Sequence, residues 1–221
     1  MALELSELAA MRGGRVVFSG LKARLQAGSA TALRGPNGIG KSTLLRVLAG
    51  LLPPSAGEAY HDGVSLSQAP AAFQERVLYA GHRDGVKPAL RVAENLRIWA
   101  RLHAAPEARI ETALARFGLE RLAERPAAEC SAGQMRRLGL ARLLVIERPL
   151  WLLDEPTVSL DTTSVALVAE LVKAHITTGG IALIATHADL GLSACATLEM
   201  TPPVPGQQPV APDPFLDGAW Q

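Results

Sequence analysis

The stretch Gly35-Pro36-Asn37-Gly38-Ile39-Gly40-Lys41-Ser42-Thr43 constrains this chain more than any other, because its spacing is that of a loop that wraps nucleotide phosphates. Glycines at 35, 38 and 40 permit a tight turn whose N–H groups face inward. The helix opening at Lys41 presents the positive end of its dipole to the same phosphates. All nine residues are therefore candidate nucleotide contacts, with Lys41 reaching the β and γ phosphates and Ser42 holding a magnesium ion. The loop alone is compatible with ATP or GTP. Its setting is the required one: residues 30–34 read as a strand, and residues 44–49 as a helix stopped by Gly50.

Far downstream the apolar run Leu150-Trp151-Leu152-Leu153 ends in Asp154-Glu155, the pattern of a buried parallel strand that delivers two carboxylates at its C-terminal edge. Asp154 would hold Mg²⁺ through water, and Glu155 would orient and deprotonate the attacking water. A third apolar run, residues 181–186, ends in His187, which could touch the γ phosphate. Each residue also has a plainer reading, since two acids after a strand often form a solvated turn and a strand-end histidine is often satisfied locally.

Composition narrows the class. A chain of 221 residues with 48% apolar content can bury one sizeable core. Its apolar runs fall short of the ~20 residues a spanning helix needs, and the N-terminus has no basic-then-apolar signal pattern. Membrane attachment is therefore expected through a partner. A net charge of +1 argues against nucleic-acid binding. The basic excess within residues 83–148 is expected on solvated helix faces, or beside anionic lipid or an acidic partner segment. Cys130 and Cys195 have neither metal-ligand nor redox-motif spacing and read as cytosolic thiols. Alternating patterns over residues 96–102 and 113–119 predict amphipathic helices. Beyond Met200 the Pro-rich composition of residues 201–221 predicts a flexible tail.

The segment Cys130-Ser131-Ala132-Gly133-Gln134, leading into a long helix with Arg136-Arg137, resembles the leucine-serine-glycine-glycine-glutamine signature of ATP-binding cassette (ABC) transporter subunits. The likeness spans residues 1–200. It implies an α/β cassette: a RecA-like P-loop core with a parallel sheet and antiparallel N-terminal strands, residues 1–80 and 149–200, interrupted by a helical subdomain at 81–148. It also implies Mg²⁺-dependent ATP hydrolysis by two copies joined head to tail. Ser131, Ala132, Gly133 and Gln134 of one copy would then bind the ATP seated on the other's Lys41 loop. Glu155 would be the general base and His187 the switch histidine, while Asp161 in Ser159-Leu160-Asp161 would belong to the loop linking the two sites.

Two positions depart from that family pattern. Where a glutamine usually contacts Mg²⁺ after its strand stands His82, whose neutral imidazole could do the same through one ring nitrogen; a protonated ring could not. The plainer alternative is a loop histidine with no metal contact. Where an aromatic ring usually stacks on adenine stands Arg12, whose guanidinium plane can stack on a base but leaves the choice of purine open.

A narrower resemblance follows from Gly81-His82-Arg83-Asp84-Gly85-Val86-Lys87-Pro88-Ala89-Leu90 with Glu94-Asn95-Leu96, from residues 14–21, and from Gly179-Gly180-Ile181 leading to Thr186-His187. These are similar to the ATP-binding subunits of cytochrome c biogenesis, the haem exporter ATPases. That likeness implies a peripheral protein at the cytoplasmic face of a bacterial inner membrane, working with the integral permease subunits of the cytochrome c maturation system in haem delivery. Two alternatives stand beside it. One is an ABC ATPase for another cargo, such as a drug, lipid or lipoprotein. The other is a soluble ABC protein, which would be expected to carry two cassettes or a long insertion plus a basic surface.

Overall fold

A computed structural model describes residues 1–186, 191–192 and 195–202. His187 and residues 203–221, for which a switch role and a flexible tail are expected, lie outside the described residues. The chain opens with a hairpin of β1 (Ala2–Arg12) and β2 (Arg15–Gln26), turned by Gly13 and Gly14 at φ 56° and 72°. Two successive left-handed residues match the twist of paired strands, and glycine adopts that conformation without steric cost. β4 (Ala56–His61) pairs antiparallel with β1, and β5 (Val64–Ser65) with β4, giving a four-stranded sheet ordered β2-β1-β4-β5.

The second sheet is wholly parallel and ordered β6-β7-β8-β3-β9, from β3 (Ser29–Arg34), β6 (Val77–Ala80), β7 (Leu150–Asp154), β8 (Ile181–Ala185) and β9 (Cys195–Glu199). Every residue of β7 and β8 is buried, as expected for strands covered on both faces. Leu150 and Leu152 face a core shared with α1 (Lys41–Leu48) and the antiparallel sheet. Trp151 and Leu153 face a second core built with α3 (Val92–Leu102), α4 (Ala108–Arg116), α5 (Ala132–Val145) and α6 (Thr162–Thr177). Each leucine sealed into either core contributes about 1.5–3 kcal/mol relative to exposure. Between α1 and β6 the short α2 (Pro70–Gln74) buries Phe73.

Helices α3, α4 and α5 fill the interval between β6 and β7. Helix α4 is shorter than its hydrophobic pattern predicts. It stops at Arg116 because Gly118 turns left-handed at φ 61°, and Leu119 N–H then bonds back to the Leu114 carbonyl at 2.8 Å. Leu119 still enters the core, which is why its position read as part of the apolar stripe. In α3 the buried Asn95 organises the loop before it. Its amide oxygen accepts from Lys87 N–H at 2.7 Å, and its nitrogen donates to the Lys87 and Arg91 carbonyls.

The strand order decides where chemistry can sit. β7, β8 and β3 are neighbours, with Asp154 opposite Ala185 and Ala185 opposite Leu33, so their C-terminal ends open on one edge. Ligands of open parallel sheets bind at such an edge.

Candidate nucleotide site

The phosphate loop joins β3 to α1 at that edge. Gly35, Gly38 and Gly40 have φ values of 138°, 79° and 111°, all left-handed, and a side chain would strain each of them. Gly40 is also closely packed: a Cβ there would lie 2.5 Å from Val17 Cγ1 of β2. Helix α1 starts on Gly40 with no side-chain cap, so the N–H groups of its first turn are left for a ligand. Lys41 is buried and its ammonium donates to the Gly35 and Pro36 carbonyls at 2.7 and 3.1 Å, folded back across the loop it would share with phosphates.

Ser42 and Asp154, 112 residues apart in sequence, are in contact: the serine hydroxyl donates to Asp154 Oδ1 at 2.9 Å. Asp154 is 2% exposed, and its second oxygen, Oδ2, has no hydrogen-bond partner among the described residues. Buried carboxylate oxygens are normally satisfied, so an orphan one marks a missing partner. The Ser42 hydroxyl and the Asp154 carboxylate, with its orphan Oδ2, make an all-oxygen donor set of the kind Mg²⁺ takes. The residues present fit that ion.

Glu155 follows at the turn out of β7 with φ 47°, left-handed for a residue that has a Cβ. Such strain costs about 1–3 kcal/mol and persists only where the surroundings hold it. Here Glu155 N–H donates to the Ala185 carbonyl at 2.8 Å, while its own carbonyl accepts from Arg136 Nη2 at 2.6 Å. Sheet register sets Ala80, two residues before the exposed His82, opposite Leu153, the residue before the acidic pair. On the other side Arg34 Nη1 donates to the Thr186 carbonyl at 2.7 Å, tying the strand before the phosphate loop to the residue before His187.

The signature residues form a separate crevice of about 210 Å³, lined by Ser131, Gly133 and Gln134 with Ser159, Leu160 and Asp161 among others. None of its lining residues belongs to the phosphate loop. Ser131 caps α5: its oxygen accepts from Gln134 N–H at 3.3 Å while Gln134 Oε1 accepts from Ser131 N–H at 2.8 Å. Ala132 is the first residue of the helix. A Cβ on Gly133 would sit 3.1 Å from the Ser159 carbonyl, which explains a glycine there. Asp161 caps α6 by accepting from Ser164 N–H at 2.7 Å, and hydrogen bonding from Ser164 holds its carboxyl below the usual range.

Arg12 is exposed at the end of the β1–β2 hairpin, paired with Arg15, on the same hairpin whose Val17 touches the start of α1. Burial first, then the Glu129 charge, pushes the Cys130 thiol up, the opposite of what a reactive thiolate requires. Beside the His82 loop lies a groove of about 520 Å³, lined by Gly81, Arg83, Gly85, Trp99 and Arg142 among others. Arg142 lies under the Trp99 ring, 5.2 Å from its centroid, and burial pulls its guanidinium down to about 10.

Arg34, Val17 and Arg136 are the residues of this region to which sequence reasoning gave no role. Their partners lie in segments distant along the chain, so no local spacing could reveal them.

The sequence profile described as ABC transporter matches residues 18–158. The "Cytochrome c biogenesis ATP-binding export protein CcmA" of Rhodobacter capsulatus is 52% identical over 99% of this chain and 98% of its own length. The protein of the same name from Paracoccus denitrificans is 53% identical over 90% of this chain and 89% of its own. Among solved structures, "Structure of ATP binding subunit of ABC transporter" superposes with a TM-score of 0.81 at 26% identity, covering 90% of this chain and 86% of that one. No helix among the described residues is long and apolar enough to cross a membrane. With its P-loop α/β architecture, its ATP-binding domain and these relatives, the chain belongs to the ABC transporter family, among the cytochrome c biogenesis ATP-binding export proteins.

Proposed function

We propose that this chain is the ATPase subunit of an inner-membrane ABC complex that serves haem delivery in c-type cytochrome biogenesis. Full-length identity of about half to relatives named for cytochrome c biogenesis export carries the cellular role. Contact between Ser42 and the half-satisfied Asp154, with Glu155 next in sequence, carries the chemistry.

ATP binding draws the Lys41 ammonium off the Gly35 and Pro36 carbonyls and onto the β and γ phosphates, while the first turn of α1 receives the phosphate oxygens. Ser42 and Asp154 would hold Mg²⁺, which when bound would neutralise charge on the nucleotide phosphates. Glu155 orients a water in line with the γ phosphoryl group and takes its proton. A positioned general base contributes ~10²–10⁴ in rate, or about 3–5 kcal/mol of barrier. His187, two residues after β8 in sequence, would contact the γ phosphate. His82 would offer a ring nitrogen toward the metal, and Arg12 would stack on the base.

Charge around the γ phosphate is completed by a second copy, whose Ser131, Ala132, Gly133 and Gln134 close on this ATP head to tail. Support comes from the crevice at Ser131, which shares no lining residue with the phosphate loop of its own chain. Asp161 and its neighbours connect the two sites. Closure and reopening drive integral permease subunits, which meet the chain on its basic helical segment, residues 83–148. The chain is thereby held peripherally on the cytoplasmic face.

The test is to purify tagged Glu155→Gln from membranes in mild detergent with Mg-ATP and identify the co-purifying integral proteins by mass spectrometry. Cytochrome c maturation subunits are the expected partners, retained more strongly than with the unsubstituted chain. Recovery of a different permease would overturn the haem-delivery role and leave the nucleotide chemistry in place.

A further inference from the structure

Arg136 sits in the first turns of α5, five residues after the cap at Ser131, and is 5% exposed. One face of its guanidinium fork, Nη1, donates to the Gly81 carbonyl at 2.9 Å and to Asp84 Oδ1 at 2.6 Å. The other, Nη2, donates to the Asp154 carbonyl at 3.1 Å and to the Glu155 carbonyl at 2.6 Å. A single side chain thus ties the signature helix to the His82 loop and to the peptide of Glu155. Gly139, one turn on, lets the loop approach, since a Cβ there would be 2.6 Å from Asp84 Cβ.

The arrangement suits positioning better than stability. A buried ion pair loses to desolvation much of what it gains by attraction, so its contribution to folding is small. What a planar, five-donor fork supplies is fixed geometry among several acceptors, which lysine cannot reproduce. The acceptor that most needs fixing is Glu155, whose φ of 47° is strained. Its carbonyl is held by Arg136 and by Val158 N–H at 3.3 Å, the weaker of the two.

We propose that Arg136 is a positioning residue for hydrolysis: it fixes the backbone of Glu155 and the His82 loop to the signature helix, so that alignment of the base follows the position of that helix. The helix that carries Ser131 toward one ATP thereby sets the base that acts on the other. This rests on Glu155 as the base.

The test uses the full chain and single-turnover hydrolysis at saturating Mg-ATP, together with the equilibrium Kd for ATP. Misplacing a catalytic group by about 1 Å can cost about 10²-fold, so Arg136→Gln is expected to slow hydrolysis about 10–100-fold with the ATP Kd nearly unchanged. Arg136→Lys recovers part of the rate. In a Glu155→Gln background the same Arg136→Gln change is expected to slow the residual rate by less than about twofold, because no base remains to align. Asp84→Asn, which keeps the arginine and frees the loop, should slow hydrolysis by a smaller factor and serves if Arg136→Gln fails to fold. A purely structural strut would give losses that multiply in the double variant, or a weakened ATP Kd, and either result overturns the proposal. Undiminished hydrolysis by Glu155→Gln alone would overturn the base reading along with it.

Discussion

A carboxylate that is 2% exposed and has one oxygen without a partner among the described residues is a cost carried by the fold. At Asp154 that cost is the counterpart of the proposed ion site, and function and stability should therefore separate there. Asp154→Asn keeps the shape, removes the buried charge and leaves Ser42 a hydrogen-bond acceptor. The variant is expected to hydrolyse ATP at least about 10²-fold more slowly. Relief of about 1 kcal/mol should raise its nucleotide-free Tm by about 2–4 °C, the conversion for a chain of this size. Differential scanning fluorimetry with and without Mg-ATP checks both halves, because the ligand-induced rise in Tm should shrink as well. A lower Tm without nucleotide would mean that Asp154 is a structural residue first. Asp154, Lys41 and Ser42 were legible in the sequence because each sits at a fixed offset within a short motif. Arg34 and Arg136 were not, because their acceptors, Thr186, Gly81 and Glu155, become neighbours only when the parallel sheet forms.

Helix α5 shows one element carrying two duties that can be taken apart. Its capping box satisfies N–H groups at a helix start, and the same Ser131 is the residue proposed to meet the second copy's ATP. Loss of an N-cap costs about 0.5–2 kcal/mol, so Ser131→Ala should lower the urea midpoint modestly while it removes most of the ATPase activity. Ser131→Asp caps as well as serine but places an anion where the γ phosphate would arrive. It should restore the midpoint and leave activity lost. Recovery of activity with Ser131→Asp would show that the cap, and not phosphate contact, is what Ser131 provides. At this scale the continuous apolar runs behind β3, β7 and β8 were readable, and α5 was expected from the signature that precedes it. α2 and β5 were not, since their five and two residues form neither an apolar run nor a period. The end of α4 was set by the backbone freedom of Gly118, while Leu119 continued the apolar stripe past the helix.

The whole molecule is two sheets joined through helices, and its order β6-β7-β8-β3-β9 is what collects the ends of distant segments on one edge. Local motifs named the segments but did not order them, since pairing depends on crossovers of the whole chain. Assembly at this scale also places histidines where the cost of burying their charge outweighs any nearby acid. His61, with 0% exposure, has no hydrogen-bond partner on either ring nitrogen among the described residues; burial first, then the Arg76 charge, lowers its pKa from 6.5, against a weaker opposing pull from Asp62. Burial likewise lowers His175, stacked on Trp151 at 4.0 Å, and His103 beside Arg148. A group whose folded pKa lies below its unfolded one keeps its proton off in the native state, so the unfolded chain binds more protons as pH falls through 6.5. Stability is therefore full above that value and declines beneath it until the folded pKa is passed. His61 alone contributes at most about 1.4 kcal/mol per pH unit within that window. Carboxylates act later. Against the desolvation that burial imposes, hydrogen bonds from Ala59, Ser65 and Ser67 hold Glu58 below its ordinary 4.5, so its contribution fades only in stronger acid. Urea midpoints measured from pH 8 to pH 4 should accordingly stay level to about pH 7 and begin to drop as pH falls through 6.5, before Glu58 contributes. His61→Leu should flatten that first drop and leave the later one intact. A midpoint level to pH 5 in the unsubstituted chain would mean that these rings find partners for their protons in the native state.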